Sequence, residues 1–245
     1  MHVPPVIIAD GLRGENGVKV KVNLKHFKEV SIASSIYSAD GIIVVSHFKG
    51  HMEAGFGGAI KNLGMGCSTK AGKLKMHSEV SPKISTQKCT GCGSCVKWCP
   101  ADSIQINKAA KILDSKCIGC GTCIAVCPHE AIKIRWKANT AKLQEMMVEH
   151  AKGVTTNKPV GYINFLTNIT KLCDCAPTVD SPILPDIGVL ASLDPVSIDK
   201  ASFDLVNEAS KGEFSKIWPD AKPEIQLQYG EQVGLGTTKY KLIRI

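Results

Sequence analysis

Long apolar runs are missing from this chain. Its apolar stretches are short, as in GIIVV at 41–45 and VIIA at 6–9, far from the roughly 20 consecutive apolar residues that a membrane-spanning helix requires. No membrane span is expected. The first residues, MHVPPVIIADG, lack the basic region and continuous apolar region of a secretory signal, so a cytoplasmic location is expected. Aromatic residues make up only 5% of the chain, and there is no zinc-finger, RNP or helix-turn-helix pattern, so nucleic acid is not an expected partner. Walker A and Gly-x-Gly-x-x-Gly loops are absent as well: GFGGAIKN, from Gly55, lacks the Lys-Ser/Thr ending. Acidic charge is in short supply. Thirty Lys+Arg against 22 Asp+Glu leave a net charge of +8, much of it on scattered lysines such as Lys19, Lys21, Lys25 and Lys28. One reading is a solvated basic face; the other is a surface that speeds encounters with a small anionic ligand or an acidic redox partner protein.

Cysteine is abundant. Eleven cysteines in 245 residues, in a chain without an export signal, point to metal rather than to disulfides. Eight of them lie in two segments, KCTGCGSCVKWCPADSIQI from Lys88 and KCIGCGTCIAVCPHEAIKI from Lys116, which align without a gap. This is an internal duplication. Each segment reads Cys-x2-Cys-x2-Cys-x3-Cys-Pro, the pattern in which three thiolates of one run and the fourth of the other hold one [4Fe–4S] cluster. The predicted ligand sets are therefore crossed: Cys89, Cys92, Cys95 and Cys127 for one cluster, Cys117, Cys120, Cys123 and Cys99 for the second. Gly91, Gly93, Gly119 and Gly121 supply the backbone freedom that such tight loops need, and Pro100 and Pro128 redirect the chain afterwards. The alternative is zinc, which also uses Cys-x2-Cys pairs, but four cysteines per run, duplicated with Cys-Pro endings, have no zinc-ribbon counterpart. These segments resemble two-cluster bacterial ferredoxins over about residues 84–137.

The flanking sequence predicts an α/β core. Strands are expected at 5–9, 18–24, 41–47, 159–166 and 187–191, with helices near 29–38, from Gly58 to Leu63, over AKLQEMMVEHAKG ending on Gly153 as a C-cap, and over DPVSIDKASFDLVNEAS with Asp194 as N-cap and Pro195 just inside. Strands alternating with helices imply an α/β fold with a largely parallel sheet core. The ferredoxin-like α+β unit, carrying two [4Fe–4S] clusters, interrupts it. The expected domains are 1–83 and 138–245 for the two parts of the core and 84–137 for the insertion.

The segment HMEAGFGGAIKNLGMG, residues 51–66, follows the strand at 41–47. Its glycines either permit close packing or let backbone approach a ligand, with the next helix favouring an anion. Gly55, Gly57, Gly58 and Lys61 are the candidate cofactor-binding residues. His47, Lys49, His51, Lys61 and His77 crowd the region, and histidine serves as metal ligand or as a base near neutral pH. His51, Lys61 and His77 are the candidate catalytic residues. Cys67, Cys173 and Cys175 stand outside the duplicated runs. In an extended segment positions 173 and 175 face one way, so with Cys67 and His77 or Asp174 they suggest a third metal site or a redox-active thiol centre; ordinary buried cysteine is the alternative. Asp194, Asp199 and Asp204 recur at five-residue intervals, which suits capping and a solvated helix face, or a metal or substrate contact at Asp194.

SHFKGHMEAGFGGAIKNLGMGC, GKLKMH, KLCDC at 171–175 and DIGVLASLDPVSIDKASFDL together resemble the domain of unknown function 362 family, whose members often carry a ferredoxin insertion. The resemblance implies the architecture and no established reaction. A more distant one, carried by His51, Ala54-Gly55-Phe56, Lys61 and His77, is to the lactate racemase family. It implies His51 as acid/base, Lys61 as the anchor of a nickel-pincer nucleotide and His77 as a nickel ligand. Three readings follow: an iron–sulfur protein relaying electrons to a ligand or metal site near His51, Lys61 and His77; an electron carrier or assembly subunit with no chemistry of its own; and a racemase-like enzyme with structural clusters and an additional metal or nucleotide-derived cofactor.

Overall fold

The structure, a computed structural model, describes residues 5–77, 82–134, 139–176, 178 and 180–245. The protein is a mixed α/β molecule. No helix among these residues is long and apolar enough to cross a membrane.

The chain opens irregularly. Val6, Ile7 and Ile8 are exposed and pair with nothing regular, so the strand expected at 5–9 does not form. The alternation of VKVKV then produces β1 (Gly17–Lys21), which pairs antiparallel with β2 (Glu29–Ala33) in the register Val18↔Ile32, Val20↔Val30. β1 stops at Lys21, short of the expected end at 24. Residues 29–33 belong to a strand rather than to the expected helix, because their β-branched residues complete this ladder and are buried by it. Only the last residues of that prediction are helical, as α1 (Ser34–Tyr37).

β3 (Ile42–His47) runs parallel to β10 (Val160–Leu166), and β11 (Gly188–Ser192) adds antiparallel on the far side of β10, for the order β11-β10-β3. The β3–β10 pair is the one parallel pairing among the described strands. One face of this sheet buries Val44, Tyr162, Asn164 and Leu166, while Ile43, Val45, Phe165 and Val189 are exposed on the other. After β3 come the hairpin β4 (Lys49–His51) and β5 (Gly55–Gly57), then α2 (Ala59–Lys61) running into a π-helical turn at Asn62–Gly66, then α3 (Lys70–His77).

The second part of the core is more helical. α6 (Thr140–Thr155) is capped by Asn139, α7 (Pro195–Ala209) by Asp194, and α8 (Glu224–Gln232) closes the layer. Asp194 accepts from the N–H groups of Val196 and Ser197 at 2.8 and 2.9 Å, so the predicted cap stands, and the carboxylate is occupied further by Thr237 N–H at 2.9 Å. Gly153 is not a C-cap. α6 continues past it to Thr155, and a Cβ on Gly153 would fall closer than 3.0 Å to a Val30 methyl, so the glycine lets helix and β2 touch. The few aromatics are concentrated: Phe48, Phe56, Phe203 and Phe214 form one cluster with centroids 5.0–6.2 Å apart. Phe48 and Phe56 are wholly buried, which contributes about 2–3 kcal/mol each.

The duplicated cysteine runs fold between α3 and α6. They contain β6 (Lys83–Ile84), α4 (Ser94–Lys97), β7 (Ile104–Asn107), β8 (Ala109–Ile112), α5 (Thr122–Ala125) and β9 (Ile132–Lys133), with β6 pairing β9 and β7 pairing β8, both antiparallel. A separate small core of Cys95, Ile104, Ala110, Cys123 and Ile132 holds them together. The expected start of this unit at 84 lies within β6; its expected end at 137 lies outside the described residues.

Candidate functional site

The eight motif cysteines divide between two cavities. Cys89, Cys92, Cys95 and Cys127 line one, and Cys99, Cys117, Cys120 and Cys123 line the other. The fourth cysteine of each run has thus crossed to its partner's cavity. Local geometry repeats with the sequence. Gly91 and Gly119 both have φ +70°, Gly93 and Gly121 have φ +80° and +68°, and each of the latter two precedes a one-turn helix. Such left-handed conformations favour glycine. Cys99 Sγ accepts the N–H of Ser103 at 3.4 Å and Cys127 Sγ that of Ala131 at 3.3 Å, the same bond in each repeat; Ala110 N–H reaches Cys89 Sγ at 3.3 Å.

The thiols of each set are close yet not collapsed. Among the described residues no three of either set stand within 4.8 Å of one another, whereas thiolates around one zinc ion lie roughly 3.8 Å apart at its usual bond length. Burial, then the charges of Cys120 and Cys117, push Cys123 up to about 12; burial, then Cys89, Cys127 and Cys92, raise Cys95.

The second site is a cleft of about 560 Å³ on the core. Its lining includes His51, Lys61, His77, Gly57 and Gly58, together with Lys49, Lys73, Cys173, Asp174 and Cys175. The three candidate catalytic residues, 10 and 16 positions apart in the sequence, are therefore brought to one place. Gly55 is not in the lining. It turns the β4–β5 hairpin at φ +76° and lies against Pro223, where a Cβ would clash.

Several glycines here serve packing. Gly58 meets the carboxylate of Asp199, and Gly64 meets the Met147 carbonyl, each closer than a Cβ permits. Asp199 is wholly buried rather than on a solvated helix face. It accepts the N–H groups of Ala59 and Ile60 at 2.7 and 2.9 Å and the amide of Asn164 at 2.8 Å, so it caps the start of α2 from another element. Burial pushes it up to about 6, against the pull of Ile60, Asn164 and Ala59. Asp204 instead pairs with Lys200 and Tyr240 on the outside.

His51, at the end of β4, is buried. Its Nδ1 accepts the N–H groups of Glu53 and Ala54, each at 3.2 Å. The ring hydrogen consequently sits on Nε2. Burial, then Lys61, His77 and Lys49, depress the group to about 3, so the imidazole is neutral at physiological pH. His77 ends α3, with Nδ1 3.7 Å from Glu53 Oε2; burial, then Lys61, hold it below the ordinary histidine range.

The residues 171–176 form the far wall. Gly50 allows this: a Cβ there would collide with the Lys171 carbonyl, and Gly50 N–H bonds Thr170 O at 2.9 Å. Trp218 Nε1 also holds Lys171 O at 2.9 Å. Cys173 and Cys175 converge with His51, their sulfurs and a ring nitrogen all lying within 4.8 Å of one another, and Lys61 Nζ donates to Cys173 Sγ at 3.2 Å. The segment is a turn rather than a strand. Cys67 does not join them. It packs at the edge of the main core, where burial pushes its thiol up to about 11 despite Lys73 and Lys158. Asp174 ties Lys49 at 2.8 Å and His47 at 3.0 Å; burial opposes its ionisation, yet Lys49 and His47 hold it below the usual carboxylate range. Lys73 is a lining residue that sequence reasoning passed over. Its signal is the four-residue spacing to His77 on one helix face.

α3 joins the two sites. Lys73 and His77 line the cleft and also a neighbouring hollow with Cys120, Gly121 and Ile124. Gly121 lies against Leu74 and Lys70 of the same helix. The second cysteine run thus rests on the element that walls the cleft.

Comparison with known proteins bears on the whole assembly. A family model described as Domain of unknown function (DUF362) matches residues 3–204. No curated protein matches the chain.

Proposed function

The chain belongs to the DUF362 family, and from that premise we propose that it is an iron–sulfur electron-transfer protein with a ligand site on its α/β core. In this reading residues 84–137 are a ferredoxin-like unit inserted into a core whose three-stranded sheet has one parallel and one antiparallel pairing. Cys89, Cys92, Cys95 and Cys127 hold one [4Fe–4S] cluster, and Cys117, Cys120, Cys123 and Cys99 hold the other. Such clusters supply one-electron transfer at potentials set by hydrogen bonds to sulfur and by solvent exposure.

The observation that carries the reading is the crossed division of eight thiols between two cavities, which is the division that two Cys-x2-Cys-x2-Cys-x3-Cys-Pro runs use to hold two cubic clusters. The N–H groups of Ala110, Ser103 and Ala131 that point at cysteine sulfurs would tune the clusters. α3 supports the link to the cleft, since the electron path from the cavity of Cys120 to the cleft of Lys61 need cross only that helix. In the cleft, Lys49, Lys61 and Lys73 favour a small anionic ligand, and His51 presents an N–H donor. The basic surface favours an acidic redox partner.

The racemase-like reading asks His51 to take and return a proton. With Nδ1 engaged by two backbone N–H groups and Nε2 already protonated, no ring lone pair is available for that, which favours the relay.

Anaerobic analysis of metals and sulfide, with intact mass spectrometry, tests the proposal. About eight iron and eight sulfide per chain, with no adduct on Lys61, are expected. Zinc without sulfide would overturn the relay; nickel or an added mass on Lys61 would restore the racemase-like enzyme.

A further inference from the structure

Cys173 and Cys175 belong to neither four-thiol set, yet they are held by a built wall and face charged partners. Their sulfurs and a ring nitrogen of His51 lie mutually within 4.8 Å, close enough for one metal ion or for a dithiol. Two contacts separate these uses. A metal-bound histidine normally donates the hydrogen on its other ring nitrogen to an acceptor. His51 does the reverse: Nδ1 accepts from Glu53 and Ala54, and the hydrogen lies on Nε2. It has no ring lone pair left with which to ligate a metal. The second contact is the Lys61 ammonium at 3.2 Å from Cys173 Sγ, a cation where a metal dication would repel it. A Cys173 thiolate, by contrast, is stabilised by that ammonium.

We propose that Cys173 and Cys175 are a redox-active dithiol that reduces a small anionic disulfide bound in the cleft. Lys49, Lys61 and Lys73 supply the positive charge for the anion. Cys173 is the attacking thiol. Burial works against its ionisation, but Lys61 and the hydrogen bonds from Cys175 outweigh burial and hold it below the ordinary thiol range, while burial and the bond to Cys173 push Cys175 up.

The chemistry balances within these residues. The Cys173 thiolate attacks one sulfur of the substrate disulfide, that S–S bond breaks, and the first product thiolate leaves. Cys175 gives its proton to that thiolate, and its own thiolate then displaces the second product thiolate from Cys173, closing a Cys173–Cys175 disulfide. One disulfide is reduced by two electrons and one dithiol is oxidised by two. Regeneration needs two single electrons and two protons, and it rests on the relay proposed above for its electron supply.

The test uses the full chain prepared anaerobically with its metal content measured, and glutathione disulfide as the probe. Cleavage at lysine releases residues 172–200, whose only cysteines are Cys173 and Cys175, so the mass of this peptide reports the pair alone. The expected product lacks two hydrogens and accompanies release of two glutathione thiols. Cys175→Ser should trap glutathione on Cys173; Cys173→Ser should end the reaction; Lys61→Met should slow it about tenfold or more. Each variant should keep the parent's iron and sulfide. A peptide that stays reduced in a protein with full iron and sulfide would overturn the dithiol and leave the relay standing. A peptide that oxidises in a protein lacking sulfide would do the opposite. A zinc or iron ion retained on Cys173 and Cys175 would also overturn it.

Discussion

Gly58 and Asp199, 141 positions apart in the sequence, press together so closely that a Cβ on the glycine would lie within 3.0 Å of the carboxylate. Through this contact α7 holds the glycine-rich segment, because the same carboxylate binds the first N–H groups of α2. Gly58→Ala should destabilise the protein by roughly 2–3 kcal/mol, since the obstacle is a buried group that cannot swing away. Gly57→Ala meets the flexible Lys61 and Lys49 chains and should cost under about 1 kcal/mol. Chemical denaturation of the two variants checks the contrast; equal losses would show that Asp199 yields.

The proposed crossed ligation predicts a pattern of non-additivity. Cys92→Ser and Cys127→Ser line one cavity, while Cys99 lines the other. Each single variant should lose about four of eight iron. The pair Cys92→Ser/Cys127→Ser should lose no more, whereas Cys92→Ser/Cys99→Ser should lose both clusters. Iron and sulfide counts with low-temperature paramagnetic resonance decide it. The reverse pattern would assign each run its own cluster.

His150 sets a pH dependence of stability. Burial, opposed by its bond to Met146 O and aided by Lys19 and Lys75, depresses it to about 4 from the ordinary 6.5. The unfolded chain therefore binds the proton first, and the contribution is complete above 6.5 and lost as pH falls toward 4. From about pH 7 to pH 5 the loss attributable to His150 is about 2 kcal/mol. Asp199 has the opposite sign, its raised value adding stability below 3.8 that is lost as pH rises through about 6. His150→Gln keeps Asp199 and His51, so the difference between variant and parent isolates this residue. Thermal midpoints of the variant should fall less over that range than those of the parent; parallel curves would refute the assignment.

Local spacing made part of this protein legible. The two cysteine runs, the cap at Asp194 and the strands at 42–47, 160–166 and 188–192 all depend on neighbours within a few residues, or on apolar runs that a sheet interior accepts. The division of the eight cysteines between two cavities follows the same logic, because duplication places equivalent cysteines in equivalent turns. Residues 29–33 were not, since their fate turns on pairing with β1. Gly153 carries the same mark in either role, C-cap or contact point, and only the approach of Val30 selects one.

Sequence alone singled out the residues that line the two cysteine cavities and much of the cleft: eight thiols in a fixed spacing, with His51, Lys61 and His77 near glycines. Which other residues meet them follows from the packing of the folded chain. Lys61 lies 112 positions from Cys173, and whether they touch depends on a bare Gly50 admitting the Lys171 carbonyl and on Asp199 fixing the start of α2. Such contacts are made by packing of distant segments, for which no local periodicity exists to be read.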